Sequence, residues 1–177
     1  MATVRRFATD AAGARALESI RGVCDAAFGA EYSDDDWHNA LGGWHAVACD
    51  GDLMVAHASV VPRTLVVGEQ PFAAGYVESV ATLPARHGEG LGSLVMDAIG
   101  AIVRDEFELG ALSTGRHAFY RRLGWERWQG PTFVRDGDAV WRTEEDDDGV
   151  MVLRFGASAS IDLAAPITCE ARPGDDW

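Results

Sequence analysis

Apolar residues at Leu17, Ile20, Cys24, Ala27 and Phe28 recur at helical spacing, so residues 10–28 are expected to form a helix. Ser33-Asp34-Asp35-Asp36 then has the form of a capping box, with a hydroxyl at the cap and a carboxylate three residues on. It predicts a short helix through Trp37 and Leu41 that stops at Gly42-Gly43. Beyond it the period changes. Apolar runs at 44–49 and 53–61 flank Asp50-Gly51-Asp52, whose Asp-Gly pair is a hairpin signal. Runs at 65–67 and 72–81 flank a second turn, Gly68-Glu69-Gln70-Pro71, which gives an antiparallel meander of about four strands. Leu91, Leu94, Val95, Ala98, Ile99, Ile102 and Val103 share one face of a long helix. A strand at 110–113, a short helix at 118–123, a turn at Asp136-Gly137-Asp138, an acidic run at 144–148, a strand at 150–155 and a tail to Trp177 follow. The pattern is α+β, with a mixed, mostly antiparallel central sheet flanked by helices.

At 177 residues the chain is expected to be one domain, 1–177. With 47% hydrophobic and 24% charged residues it falls outside the disordered, collagen-like and disulfide-scaffold classes. No window reaches the roughly 18 apolar residues of a membrane span, and the first residues lack the apolar run of a signal peptide. A cytoplasmic protein with no membrane partner is therefore expected. The net charge of −13 argues against a nucleic-acid partner and suits a small polycation. All 15 basic residues are Arg, so no lysine amine is available for catalysis. Cys24, Cys49 and Cys169 are isolated and form neither a disulfide framework nor a zinc motif; buried thiols are expected. His38, His45, His57, His87 and His117 contain no HxH or HxxxH pair, and no metal is expected.

The chemistry concentrates between Gly75 and Ile99. A strand, Tyr76-Val77-Glu78-Ser79-Val80-Ala81, leads through Thr82 and Pro84-Ala85-Arg86 into His87-Gly88-Glu89-Gly90-Leu91-Gly92, where the long helix begins. Glycines alternating at a strand-to-helix junction let backbone approach a ligand, and the amides at the helix start favour a phosphate. The preceding strands read as hairpins, so a dinucleotide-binding βαβ unit fits poorly. A second landmark is Ala118-Phe119-Tyr120-Arg121-Arg122-Leu123-Gly124-Trp125, a short helix ending in glycine and an aromatic.

Together these segments resemble the Gcn5-related N-acetyltransferase superfamily, whose glycine loop binds the pyrophosphate of acetyl-CoA. The loop glycines fall on Gly90 and Gly92, and His87 stands at a first position usually held by Gln or Arg, with Arg86 beside it. Further segments occur in order: Asp36-Trp37, Leu41-Gly42-Gly43, Gly75-Tyr76-Val77-Glu78, residues 109–113, Gly130-Pro131-Thr132, Asp146-Asp147-Asp148-Gly149 and Gly174-Asp175-x-Trp177. As a set they resemble the aminoglycoside 2′-N-acetyltransferases, from about residue 28 to the end of the chain.

The resemblance implies acetyl transfer from acetyl-CoA, as a co-substrate, to the 2′-amine of an aminoglycoside by direct attack, giving resistance. It implies that the Val80 N–H polarises the thioester carbonyl and that pantetheine pairs along Val80, Ala81 and Thr82. The phosphates would lie on His87, Gly88, Glu89, Gly90, Leu91 and Gly92. Glu78 would take the amine proton through water, and Tyr120 would protonate the leaving thiolate. Glu31, Asp36, Glu78, Ser79, Ser113, Asp147, Asp175 and Trp177, the last through its α-carboxylate, would contact the drug; Glu31 stands where an Asp is expected. The resemblance also admits a homodimer. No cysteine lies near the glycine loop, which disfavours a covalent acyl-cysteine route. Two alternatives stay open: an acetyltransferase acting on a polyamine, an amino sugar or a protein N-terminus, and a binding module that holds CoA or drug without turnover.

Overall fold

The computed structural model describes residues 2–177. They form two compact units, residues 2–61 with Val77–Ile102, and Pro62–Tyr76 with Val103–Trp177. In chain order the elements are β1 (Thr3–Ala8), α1 (Ala14–Phe28), α2 (Asp34–Asn39), β2 (Trp44–Asp50), β3 (Leu53–Val67), β4 (Gln70–Thr82) and α3 (Leu91–Glu106). They continue with β5 (Leu109–Ser113), α4 (His117–Arg121), β6 (Glu126–Arg127), β7 (Thr132–Asp136), β8 (Ala139–Arg142), β9 (Val150–Arg154) and β10 (Ile167–Glu170).

In the first unit β1 pairs antiparallel with β2, and β2 with β3. Ile20, Val23 and Cys24 of α1 bury against Val47, Cys49 and Ala81. The apolar stripe read from the sequence is therefore the packed face of the helix. The helix starts at Ala14, later than expected, because Gly13 caps it in an extended conformation and Thr9–Ala11 forms a separate 3-10 turn. The capping box is present: the Ser33 hydroxyl accepts from the Asp36 amide, and the Asp36 carboxylate accepts from the Ser33 amide at 2.8 Å. Helix α2 ends at Asn39, before Leu41. At Gly43 a Cβ would sit 2.0 Å from the Val60 carbonyl oxygen, so only glycine lets the two backbones meet there.

The meander has three long strands instead of four, because residues 65–67 continue β3. Pro62 lies between two of the pairings of β3, with β2 up to Val60 and with β10 at Val66 and Val67. Strand β1 escapes the sequence pattern, since Arg5 and Arg6 remove any apolar alternation. In the second unit the strand order is β6-β9-β5-β4-β3-β10-β7-β8. Strands β4 and β5 are parallel, as are β10 and β7, and the remaining pairings recorded there are antiparallel. Trp125, Trp128, Leu109, Met151 and Val152 fill its core. All three cysteines are buried and unbridged, as their composition suggested.

A row of polar side chains runs through the first unit's core. The Thr9 hydroxyl lies 2.8 Å from His45 Nε2, His45 Nδ1 lies 3.0 Å from His57 Nε2, and His57 Nδ1 lies 2.9 Å from the Ser79 carbonyl oxygen. Both rings are fully buried. Burial pushes the His45 pKa down to about 4, and burial together with the facing His45 pushes His57 down to about 3. Both rings are neutral at pH 7.

The unfolded chain takes up protons on these rings near pH 6.5, whereas the fold holds them neutral well below that. Stability is thus complete above pH 6.5 and falls as the pH drops toward the folded values, by up to about 1.4 kcal/mol per pH unit for each ring. Urea unfolding at pH 7 and pH 5 checks this; equal stability at the two values contradicts it.

Candidate active site

Strand β4 supplies the first part of the site. Its Glu78 and Val80 are half-buried, and Ser79 between them has φ +49°, the only non-glycine residue in the left-handed region among those described. Two contacts hold it there. The Ser79 hydroxyl lies 2.7 Å from the Tyr32 hydroxyl, and the Ser79 carbonyl accepts from His57. Tyr32 is fixed in turn by stacking on Phe28, with ring centroids 5.3 Å apart, and by the Arg21 guanidinium over its face at 5.1 Å. Burial raises the Tyr32 pKa strongly, which keeps its hydroxyl protonated. Glu31 precedes Tyr32 at the end of a 3-10 turn and is exposed. Asp36 is half-buried and occupied by the capping box. The tie from Tyr32 to Ser79 anchors the segment bearing Glu31 to the strand bearing Glu78.

Beyond Thr82 the chain turns through Pro84–Arg86 to the glycine loop. Gly88 and Gly90 adopt φ +84° and +79°, and a Cβ at either would meet no atom within 4 Å. The loop is therefore open on the side where glycine is required. The carbonyl of Gly90 accepts the Leu94 amide and starts α3. The charged side chains of the loop are engaged with one another. Arg86 pairs with both oxygens of Glu89 at 2.7 and 2.8 Å and with Asp50 at 3.1 Å. His87 Nε2 lies 3.1 Å from the Thr82 carbonyl oxygen.

The second unit carries Tyr120, Ser113, Asp147, Asp175 and Trp177. Tyr120 is buried in α4, edge-on to Phe119 and Trp125 at 4.9 and 6.4 Å. Burial pushes its pKa up to about 12, so it is a phenol at neutral pH and a proton donor. Ser113 is exposed at the end of β5, and its Oγ would lie 2.6 Å from a Cβ at Gly149, which explains that glycine. The Asp147 carboxylate is taken up within the fold. It accepts from the Thr132 amide and hydroxyl, each at 2.9 Å, and pairs with Arg142, which holds its pKa down to about 2.

The neighbouring Asp146 behaves oppositely. Burial above all raises its pKa, against a hydrogen bond with the Thr143 side chain that lowers it, and the charges of Glu145, Asp175 and Asp176 add to the rise. The C-terminal segment that provides two of these charges is fastened by Arg63 to the carbonyls of Glu170 and Asp176 and by the Arg172 amide to the Asp176 carboxylate. The Trp177 side chain is buried, with its indole N–H unpartnered among the described residues. Sequence matching singled out Asp147 from this run, and the 3-10 turn Glu144–Asp146 places Asp146 against the other acids instead. Among the described residues no group of His, Cys, Asp and Glu is arranged to hold a metal ion, and no helix is long and apolar enough to cross a membrane.

A family profile for the acetyltransferase (GNAT) domain matches residues 10–128. An aminoglycoside 2′-N-acetyltransferase of Mycolicibacterium fortuitum is 43% identical over 164 residues, covering 90% of this chain and 84% of its own. Among solved structures, the GNAT family protein YhbS of Escherichia coli in complex with CoA superposes with a TM-score of 0.67 at 14% identity, covering 95% of this chain and 89% of that one. A GNAT family acetyltransferase from Brucella melitensis in complex with acetyl-CoA gives 0.64 at 20% identity, covering 94% of each chain. At these identities the structures speak for the fold alone. Fold, family profile and sequence relative agree: the chain belongs to the GNAT acetyltransferases and, within them, to the aminoglycoside 2′-N-acetyltransferase family.

Proposed function

We propose that this acetyltransferase moves the acetyl group of acetyl-CoA onto the 2′-amine of an aminoglycoside. The observation that carries the chemistry is the run Glu78-Ser79-Val80, where a left-handed serine turns the backbone beside a half-buried carboxylate. The substrate comes from the relative at 43% identity, whose name specifies that amine. The open glycine loop supports the donor, since left-handed Gly88 and Gly90 leave room for a pyrophosphate against the backbone amides at the start of α3. Pantetheine would extend along Val80, Ala81 and Thr82, and His87 would orient the loop through Thr82 instead of touching phosphate.

In this reading the Val80 N–H receives the developing negative charge of the thioester oxygen. Glu78 first takes a proton from the ammonium, through water, which frees the nitrogen lone pair to bond to the acetyl carbon, and the second surplus proton on nitrogen passes to solvent as the tetrahedral intermediate collapses. The carbon–sulfur bond then breaks and the thiolate takes the Tyr120 proton, for which a pKa near 12 keeps the phenol protonated until it is needed. The residues proposed to take a polycationic drug are Glu31, Asp36, Glu78, Ser79, Ser113, Asp175 and the Trp177 carboxylate. Asp146 joins this set because it lies near the charges of Glu145, Asp175 and Asp176 and is not taken up by an arginine, while Asp147 would have to give up Arg142 and Thr132 to take part. Acetylation removes one ammonium and weakens binding to phosphate-rich RNA, which gives resistance in a cytoplasmic setting. A homodimer is compatible with this account.

Thiol release from acetyl-CoA with kanamycin B, which has a 2′-amine, and kanamycin A, which has a hydroxyl there, tests the reading. Turnover with the first alone is expected. Turnover with both contradicts the 2′ assignment, and turnover with neither points to another amine. Tyr120→Phe should lower kcat on the order of 10- to 100-fold while acetyl-CoA KM stays within about threefold; an unchanged kcat removes Tyr120 from the acid's role. Asp146→Asn should raise the drug's KM on the order of tenfold and leave that of acetyl-CoA unmoved. An unmoved drug KM takes Asp146 out of the site.

A further inference from the structure

The buried row that ends on Ser79 has one consistent arrangement of hydrogens. A carbonyl oxygen only accepts, so His57 Nδ1, 2.9 Å from the Ser79 oxygen, carries a hydrogen. The ring is neutral, so its Nε2 is a lone pair and must accept from His45 Nδ1 at 3.0 Å. His45 Nε2 is then a lone pair in turn and takes the Thr9 hydroxyl hydrogen at 2.8 Å. The other acceptor near that hydroxyl, the Gly43 carbonyl at 3.1 Å, is already served by the Thr9 amide at 2.8 Å. The Gly42 amide donates to Thr9 Oγ1 at 3.0 Å and closes the row. Every donor points toward Ser79. Cys24 Sγ, 3.7 Å from His57 Nδ1, adds only a weak second acceptor.

The row stops at one particular peptide bond. Its carbonyl belongs to Ser79 and its N–H to Val80, and in a trans peptide the two point to opposite sides. Drawing the carbonyl inward to His57 turns the Val80 N–H away from the core. It also draws electron density from the amide nitrogen, and aligned hydrogen bonds strengthen one another in a low-dielectric interior. Two neutral imidazoles sealed in an apolar core would cost stability without these hydrogen-bond partners.

We propose that His57 and His45 are positioning residues that hold the Ser79–Val80 peptide in its left-handed turn and strengthen the Val80 N–H as the donor to the thioester oxygen. This rests on the reading of Val80 as that donor.

Nitrogen-15 NMR of the labelled full-length protein at pH 7, without ligand, tests the row directly. Both rings should be neutral with hydrogen on Nδ1, and a scalar coupling should link His45 Nδ1 to His57 Nε2. Hydrogen on His57 Nε2, or a charged ring, overturns the inference. Kinetics test the consequence. His57→Leu removes the donor, whereas His57→Asn keeps an amide N–H near the place of Nδ1. His57→Leu should lower kcat on the order of 10- to 100-fold, with acetyl-CoA KM within about threefold and the Val80 amide proton shifted upfield. His57→Asn should recover most of both, and His45→Leu, which leaves the last bond in place, should cost less. A moved Val80 resonance with unchanged kcat in His57→Leu contradicts the catalytic consequence. Should the wild-type protein fail to acetylate the 2′-amino drug, the proposed function fails by itself, while tautomers and amide shift still report on the row.

Discussion

A serine held at φ +49° in the middle of a strand is the constraint around which the first unit is arranged. Such a backbone costs a non-glycine residue about 1–3 kcal/mol and persists only where the surroundings over-determine it. Here they do so from two sides. His57 draws the carbonyl inward, and Tyr32 fixes the hydroxyl. Each depends on a further layer: His45 and Thr9 behind His57, and Phe28, Arg21 and the capped α2 segment behind Tyr32. The packing of α1 on β2, through Ile20, Cys24 and Val47, brings these layers together. A glycine would adopt this conformation without strain, yet it would lack the hydroxyl that ties the Glu31–Asp36 segment to the strand.

Charge is distributed to the same end. The chain has 15 arginines against 28 acids, and several arginines are already paired. Arg86 serves Glu89 and Asp50, Arg142 serves Asp147, Arg154 serves Glu126, and Arg21 serves Asp25 and Asp34. Exposed pairs of this kind contribute little to stability. Their effect is to neutralise the cations locally, so that the excess acid is what a ligand meets. In the second unit that excess gathers where Asp146 faces Glu145, Asp175 and Asp176. Within the glycine loop the same kind of pairing engages Arg86 with Glu89 and Asp50.

Much of this was legible in the sequence, for local reasons. Ser33 and Asp36 announce the capping box because it needs only a fixed spacing, and Gly88 and Gly90 announce a loop that demands left-handed backbone. Asp50-Gly51 and Asp136-Gly137 mark real hairpins between β2 and β3 and between β7 and β8. What was hidden depends on pairing across strands. His45 and His57 are twelve residues apart and match no short motif, but the ladder sets His45 opposite Ser59, which makes His57 its diagonal neighbour on the same face. The runs at 53–61 and 65–67 read as separate strands because their continuity depends on different partners, β2 for the first and β10 for the second. Strand β1 was invisible for a similar reason, since β2 selects it and its own arginines obscure it. Asp146 and Asp147 are adjacent in an acidic run, and only the turn distinguishes the carboxylate locked on Arg142 from the one facing the acidic tail.

The proposed chemistry depends on the Ser79–Val80 peptide presenting its N–H to the thioester. A crystal structure of the protein with acetyl-CoA reads this at the peptide itself. The thioester oxygen is expected within about 3.2 Å of the Val80 nitrogen, with Ser79 still left-handed and its carbonyl on His57. A thioester oxygen bound to a different donor, or Ser79 relaxed to an ordinary extended conformation, would contradict it.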